Sequence, residues 1–225
     1  MSLLQVEPEL GAALTDQQRE AAEQSLQTPT LSLGVGLWQP QQAESGDGFS
    51  YLLIEGMLLR RVVLRGGRSV ELLAQGDCLL PWREESASFS RAEWQVVEAA
   101  RLAVLDLRAG SNLACLPQIA SMVAARAIDR SRRLALQSAT MSIVGIEERL
   151  HALFWALAER WGRVGEKGVE LALNVSQDVL AEMVGARRPT VNSALGSLAN
   201  RGVLIPLGSG QWLLSGDPPL PEPEG

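Results

Sequence analysis

Cysteine, histidine and lysine are nearly missing from this chain, and each shortage excludes a class of chemistry. Two cysteines, Cys78 and Cys115, are too few for a disulfide framework or a four-cysteine iron–sulfur site. The single histidine, His151, leaves little with which to hold zinc. Long apolar runs are missing too: the longest, Ala152 to Ala158, is far short of the roughly 20 residues that cross a bilayer, so no membrane partner is expected. The N-terminal Met1-Ser-Leu-Leu-Gln-Val-Glu-Pro-Glu has neither the basic stretch nor the apolar region of a secretory signal, and a cytoplasmic address is expected. No nucleophile–histidine–carboxylate set or phosphate-cradling glycine loop stands out, which argues against an enzyme. Lysine occurs once, at Lys167, so the cations open to any binding site are arginines.

What is present is a chain of 225 residues, 46% apolar and 20% charged, enough for one large domain or two ordinary ones. Its net charge of −6 argues against a uniformly basic nucleic-acid binder. That charge is unevenly spread. Nine basic and 15 acidic residues precede Asn112, whereas 11 of each sign follow, so the surplus of acid lies in the N-terminal half. Gly185 to Gly202 carries Arg187, Arg188 and Arg201 and no acid. It reads as a local basic site on an acidic protein, or else as an ordinary solvated helix face.

Thr15-Asp-Gln-Gln18 has the form of a capping box, predicting a helix from Asp16 to Leu26. Strands rich in Leu, Val and Ile are predicted at 31–37, 49–55, 57–64 and 69–73, with Gly66-Gly67 suited to a hairpin turn. More are expected at 78–80, 93–97 and 102–107. Such spacing predicts an all-β barrel or sandwich for the first part. After Asn112 the period changes. Leu116, Ala120, Val123, Ala127, Leu134 and Met141 form an apolar stripe on a helix from about 116 to 141. Its small residues, Ala120 and Ala127 with Ser131 beside them, suit a parallel two-fold dimer seam, the alternative being a helix lying across its own barrel. Gly145 is a plausible break before a second helix, 146–161, with Leu150, Leu153, Phe154 and Leu157 facing inward; a turn-rich stretch, 162–168, closes it.

The most specific pattern lies between Ser176 and Leu198. Ser176 suits the N-cap of a helix carrying Leu180, Met183 and Val184 on one face, and Gly185 suits the left-handed residue that ends it. A second helix starts near Arg187, with Val191, Ala194, Leu195 and Leu198 at i, i+3, i+4 and i+7. Small Ala181 permits a close crossing, Gly185 makes the turn and Val191 fills the angle, as a helix-turn-helix requires, though another helical hairpin could share this spacing. Opposite the apolar stripe lie Pro189, Asn192, Ser193, Gly196 and Asn200, small or hydrogen-bonding residues suited to a major groove. Pro189 sits in the first turn, where no helical partner is lost. Arg187 and Arg188 stand at the helix N-terminus, where the dipole favours phosphate and arginine can fork to guanine. Segments 203–205 and 211–214 read as a two-stranded wing around Gly208-Ser-Gly210, and 217–225 as a disordered tail.

With those residues in view, the chain resembles the Crp–Fnr family of bacterial transcription regulators over nearly its whole length. Leu52-Leu-Ile-Glu-Gly56, the Gly66-Gly67 hairpin and Gln75-Gly-Asp77 look like that family's cyclic-nucleotide-binding-type β-roll, a double-stranded β-helix. Val175 to Val191 looks like its DNA-binding helix pair. The resemblance implies an α+β chain: a β-roll sensor domain over 1–112, a dimerisation helix and hinge over 113–144, and a winged helix-turn-helix over 145–216. It implies a homodimer on pseudo-palindromic double-stranded DNA, with RNA polymerase as a further partner. Arg188, Pro189 and Ser193 then occupy base-reading positions, Asn192 shares their face, and Ser176, Gln177, Arg187 and Thr190 lie where phosphate contacts are made.

The departures bear on the effector. The family's base-reading set usually includes a glutamate and a second arginine, where this chain has Pro189 and Ser193. Its cyclic-nucleotide cassette has a Gly-Glu pair, here about Leu80-Pro81, and an Arg-Ser or Arg-Thr pair, here Arg91-Ala92. With a ribose acceptor and a phosphate hydroxyl missing, cyclic nucleotide is not the expected effector, and Arg91 is the one effector candidate. Neither an iron–sulfur cluster nor haem is expected: His151 reads as a solvent or interface residue. Cys78 and Cys115 read as buried apolar-like thiols rather than redox sensors, and Trp82 and Trp94 as core residues or the lining of an apolar pocket. A different class of function is a protein-interaction module whose helix pair docks a partner protein.

Overall fold

The computed structural model describes residues 1–40, 50–79 and 89–219. It divides into two compact units, Met1–Ser131 and Arg132–Gly225.

In the first unit α1 (Leu3–Val6), a 3₁₀ turn (Pro8–Gly11) and α2 (Asp16–Ser25) precede the strands. The capping box forms as expected: Thr15 Oγ1 accepts from the Gln18 N–H, and the Gln18 side chain accepts from the Thr15 N–H at 3.0 Å. The strands are β1 (Thr30–Leu33), β2 (Gly36–Trp38), β3 (Ser50–Leu64), β4 (Gly67–Ala74), β5 (Cys78–Leu79) and β6 (Ser90–Leu105). They pair antiparallel in the order β1-β6-β3-β4, with β2 also on β6 and β5 on β3.

Strand boundaries differ from expectation for a definable reason. The predicted break at Glu55-Gly56 is a bend inside β3. Gly56 has φ +86°, and a Cβ there would stand 2.2 Å from the Ala99 carbonyl oxygen, so only glycine lets β3 turn without ending. Likewise 93–97 and 102–107 join as β6, which stops at Leu105; Asp106 then accepts from the Ala109 N–H at 2.8 Å and caps the unforeseen α3 (Leu107–Ala114). Conversely 31–37 splits into β1 and β2. One face of the sheet packs Tyr51, Leu53, Leu58, Trp94 and Leu102. The other packs Leu52 and Ile54 against Leu3, Leu10 and Leu26.

The long helix is present as α4 (Pro117–Ser142), and the division between the units falls within it. Its apolar stripe does not share one environment. Leu116 and Val123, with buried Ile119, pack on the first unit's core, whereas Ala127 is exposed, as is its neighbour Ile128 off the stripe. Two arginines of α4 also reach the first unit. Arg126 pairs with buried Glu7 at 2.8 Å. Arg130 forks onto Glu71 at 2.6 and 2.9 Å and donates to the Cys78 carbonyl, while Arg60 meets the same Glu71 at 2.8 Å.

The second unit contains α5 (Ile146–Trp161), β7 (Gly162–Gly165), β8 (Gly168–Ala172), α6 (Gln177–Val184), α7 (Arg188–Asn200), β9 (Leu204–Gly208) and β10 (Gln211–Leu214). Residues 162–168 are therefore a hairpin rather than a plain turn, and the expected two-stranded wing is one edge of a four-stranded sheet, β7-β8-β10-β9. Leu150, Leu153 and Phe154 are buried as expected; Leu157 is half-buried. Phe154 meets Trp212 edge-on at 4.9 Å, joining α5 to this sheet. The predicted tail is exposed at 217–219, and 220–225 lie outside the described residues.

Candidate nucleic-acid interface

Local sequence sets the geometry of the helix pair. Ser176 Oγ accepts from the Val179 N–H and caps α6. Gly185 ends that helix in the left-handed conformation, φ 66° and ψ 38°, and the Ala186 N–H returns to the Ala181 carbonyl at 2.9 Å. Val191 is fully buried and Ala181 nearly so, which places the small and branched residues where the crossing needs them. Val179, Leu180, Met183, Ala194, Leu195 and Leu198 complete the core.

The opposite face is open. Arg187, Arg188, Pro189, Thr190, Asn192 and Ser193 are all exposed, as is Ser176, while Gln177 is half-buried. Arg187 is the N-cap of α7 and its side chain makes no capping hydrogen bond; Pro189 follows in the first turn. The start of α7 thus offers backbone amides to an anion beside two guanidinium groups. Ser193 Oγ donates to the Pro189 carbonyl at 3.2 Å, which leaves its lone pairs to accept from a base donor.

Tertiary structure adds acids that segment counting missed. Arg188 Nη1 stands 3.5 Å from Asp178 Oδ2, and Arg201 Nη1 lies 3.1 Å from Glu147 Oε2. The site is therefore less cationic in the free protein than its own stretch of sequence suggests. Sequence reasoning also missed Arg149 on α5. Its Nε donates to the Ile143 carbonyl at 2.7 Å and its Nη1 to the Val184 carbonyl at 2.9 Å, tying the end of α6 to the segment before α5. Nothing in the spacing of Arg149 announces those partners. Met141 packs on the turn itself: a Cβ on Gly185 would stand 2.5 Å from Met141 Cε.

Residues 148–214, which hold this helix pair and its sheet, match the family model of a Crp-like helix-turn-helix domain. They form a Crp-like helix-turn-helix domain. Over most of its length the chain also shares its fold with several solved proteins. A cyclic nucleotide-binding domain containing protein from Listeria monocytogenes has TM-score 0.70 at 15% identity, over 92% of this chain and 96% of that one. A mutant of CooA from Carboxydothermus hydrogenoformans has TM-score 0.67 at 18% identity, over 95% and 91%. A transcriptional regulator of the CRP family from Thermus thermophilus has TM-score 0.56 at 18% identity, over 83% and 92%. No curated protein sequence matches significantly. The α+β class and the order of β-roll, long helix and Crp-like domain expected from the sequence are thereby borne out.

Outside the Crp-like domain the effector candidates are scattered. Arg91 is exposed on β6 and pairs with Glu93 at 2.6 Å. Leu80-Pro81 and Trp82 lie outside the described residues. Trp94 is buried in the core with Trp38 and Tyr51 around it. Cys78 is half-buried and burial pushes its thiol pKa up, whereas Cys115 is exposed, contrary to expectation, because α3 ends there in a helix-to-helix turn at the surface. Among the described residues no group of three or more His, Cys, Asp or Glu could hold a metal ion, and no helix is long and apolar enough to cross a membrane.

Proposed function

We propose that the protein is a sequence-specific DNA-binding transcription regulator of the Crp–Fnr type, acting as a homodimer on a pseudo-palindromic site. The observation that carries this reading is the open N-terminal turn of α7 inside a Crp-like helix-turn-helix domain, with Arg187 and Arg188 exposed beside free amides. Arg188, Pro189, Asn192 and Ser193 read base edges in the major groove, and Ser176, Gln177, Arg187 and Thr190 contact phosphate. A dimer is supported by a face of α4 on which Ala124, Ile128, Ser131, Ala135 and Ser138 are exposed, among the described residues, at steps of three and four. Two copies joined there set the recognition helices about one DNA turn, roughly 34 Å, apart. RNA polymerase is the partner through which such a regulator acts, and the β-roll binds an effector other than a cyclic nucleotide or serves as scaffold.

Selection of bound sequences from random duplex DNA by the purified protein tests this reading. Recovery of an inverted repeat with half-sites about 10 base pairs apart is the expected result. A pool without consensus, or binding indifferent to salt, overturns it.

A further inference from the structure

Among the described residues that face the groove on this reading, Arg188 has an anionic neighbour from the other helix. Asp178, in the first turn of α6, stands 3.5 Å from Arg188 Nη1, and both side chains are largely exposed, at 64% and 60%. An acid at the mouth of a DNA-binding surface opposes phosphate, so its presence there calls for a compensating role. The geometry supplies one. A guanidinium has five N–H donors arranged on more than one edge. With Nη1 turned to Asp178, Arg188 keeps its Nε and Nη2 donors for a two-point contact to guanine O6 and N7. Were the same arginine to clamp a phosphate instead, that anion would approach the Asp178 carboxylate.

We propose that Asp178 is a specificity-determining positioning residue: it aims Arg188 at a base edge and penalises the use of Arg188 as a phosphate contact. This rests on the reading of Arg188 as a base contact. Discrimination is a difference between two affinities, and a repulsive element against the wrong mode raises it as surely as an attraction to the right one. The carboxylate therefore lowers affinity for DNA in general while widening the gap between the chosen site and all others. An acid in the first turn of α6 also favours that helix through its dipole, a structural role that involves no arginine.

The two roles separate in a mutant cycle. Full-length wild type, Asp178→Asn, Arg188→Ala and the double variant are titrated by fluorescence anisotropy against the site wild type selects from random DNA, a series of that site with each base pair of one half-site changed in turn, and an unrelated sequence. For an exposed pair, Asp178→Asn is expected to tighten binding to unrelated DNA about threefold to fivefold. It lowers discrimination at one base pair per half-site by a similar factor, and this loss of discrimination vanishes in the Arg188→Ala background. Discrimination equal to wild type, or a loss of discrimination of equal size without Arg188, overturns the proposal while leaving the DNA-binding reading intact. Failure of wild type to select any sequence overturns both. Asp178→Ser, which keeps a polar residue in the first turn, provides the same comparison if asparagine perturbs α6, as thermal unfolding will show.

Discussion

The indole N–H of Trp155 donates to Nε2 of His151 across one turn of α5, at 2.9 Å. That bond requires an unprotonated Nε2, so it favours the neutral imidazole in the folded chain. Desolvation, and then the nearby Arg201 charge, lower the His151 pKa from its ordinary 6.5. The folded value lies below the unfolded one. This contribution to stability is therefore fully present above about pH 6.5 and is lost as pH falls from there towards the folded value. Urea midpoints measured from pH 8 to pH 5 should fall more for wild type than for His151→Gln; parallel curves would remove the role of this pair.

Glu71 is the shared anion of two guanidinium groups, Arg60 at 2.8 Å and Arg130 at 2.6 Å, with all three side chains at most 15% exposed. Hydrogen bonding to Glu71 raises the Arg130 pKa, while burial pulls that of Arg60 down. Breaking one side of such a pair costs about 3–5 kcal/mol because a buried charge is stranded. Glu71→Gln strands two cations and should cost more than Arg130→Ala, which leaves Glu71 still paired with Arg60. Chemical denaturation of the two variants gives the order.

On DNA, Arg188→Ala should lose about 1–3 kcal/mol on the selected site and relax the choice of base at one position per half-site. Arg187→Ala should weaken binding to all duplexes and reduce the slope of log affinity against log salt by about one. Titrations at several salt concentrations distinguish a base contact from a phosphate contact.

Arg149 serves two carbonyls at once, those of Ile143 and Val184. Lysine keeps the charge but lacks the planar fork that spans both acceptors. Arg149→Lys should therefore destabilise the second unit by about 2 kcal/mol, the scale of one lost hydrogen bond from a charged donor. Differential scanning calorimetry would show it as a lowered transition, and an unchanged transition would mean that water replaces the lost donor.

The helix-turn-helix was legible because its signals are local. Ser176, Ala181, Gly185 and Val191 act within a few residues of themselves, through a cap, a close crossing, a left-handed turn and a buried branch. The capping box at Thr15 and the long helix were readable on the same grounds. Harder to read were features whose partners lie far along the chain. The 162–168 stretch reads as a turn, and the strand β8 that begins at its end is not evident locally, because β8 finds its second neighbour in β10, some 40 residues later. The stripe on α4 looked uniform because periodicity reports which residues share a face, not what that face meets.

Charge shows the same division. The sequence by itself determined that the chain is acidic, that all but one of its cations are arginines, and that Arg187 and Arg188 open a helix where an anion is welcome. Only the crossing of α6 over α7 decided that Asp178 stands beside Arg188, and only the packing of α5 decided that Glu147 meets Arg201. The reason is range. A cap or a turn is settled by dihedral angles of adjacent residues, whereas an ion pair is settled by distances that exist after the helices have packed.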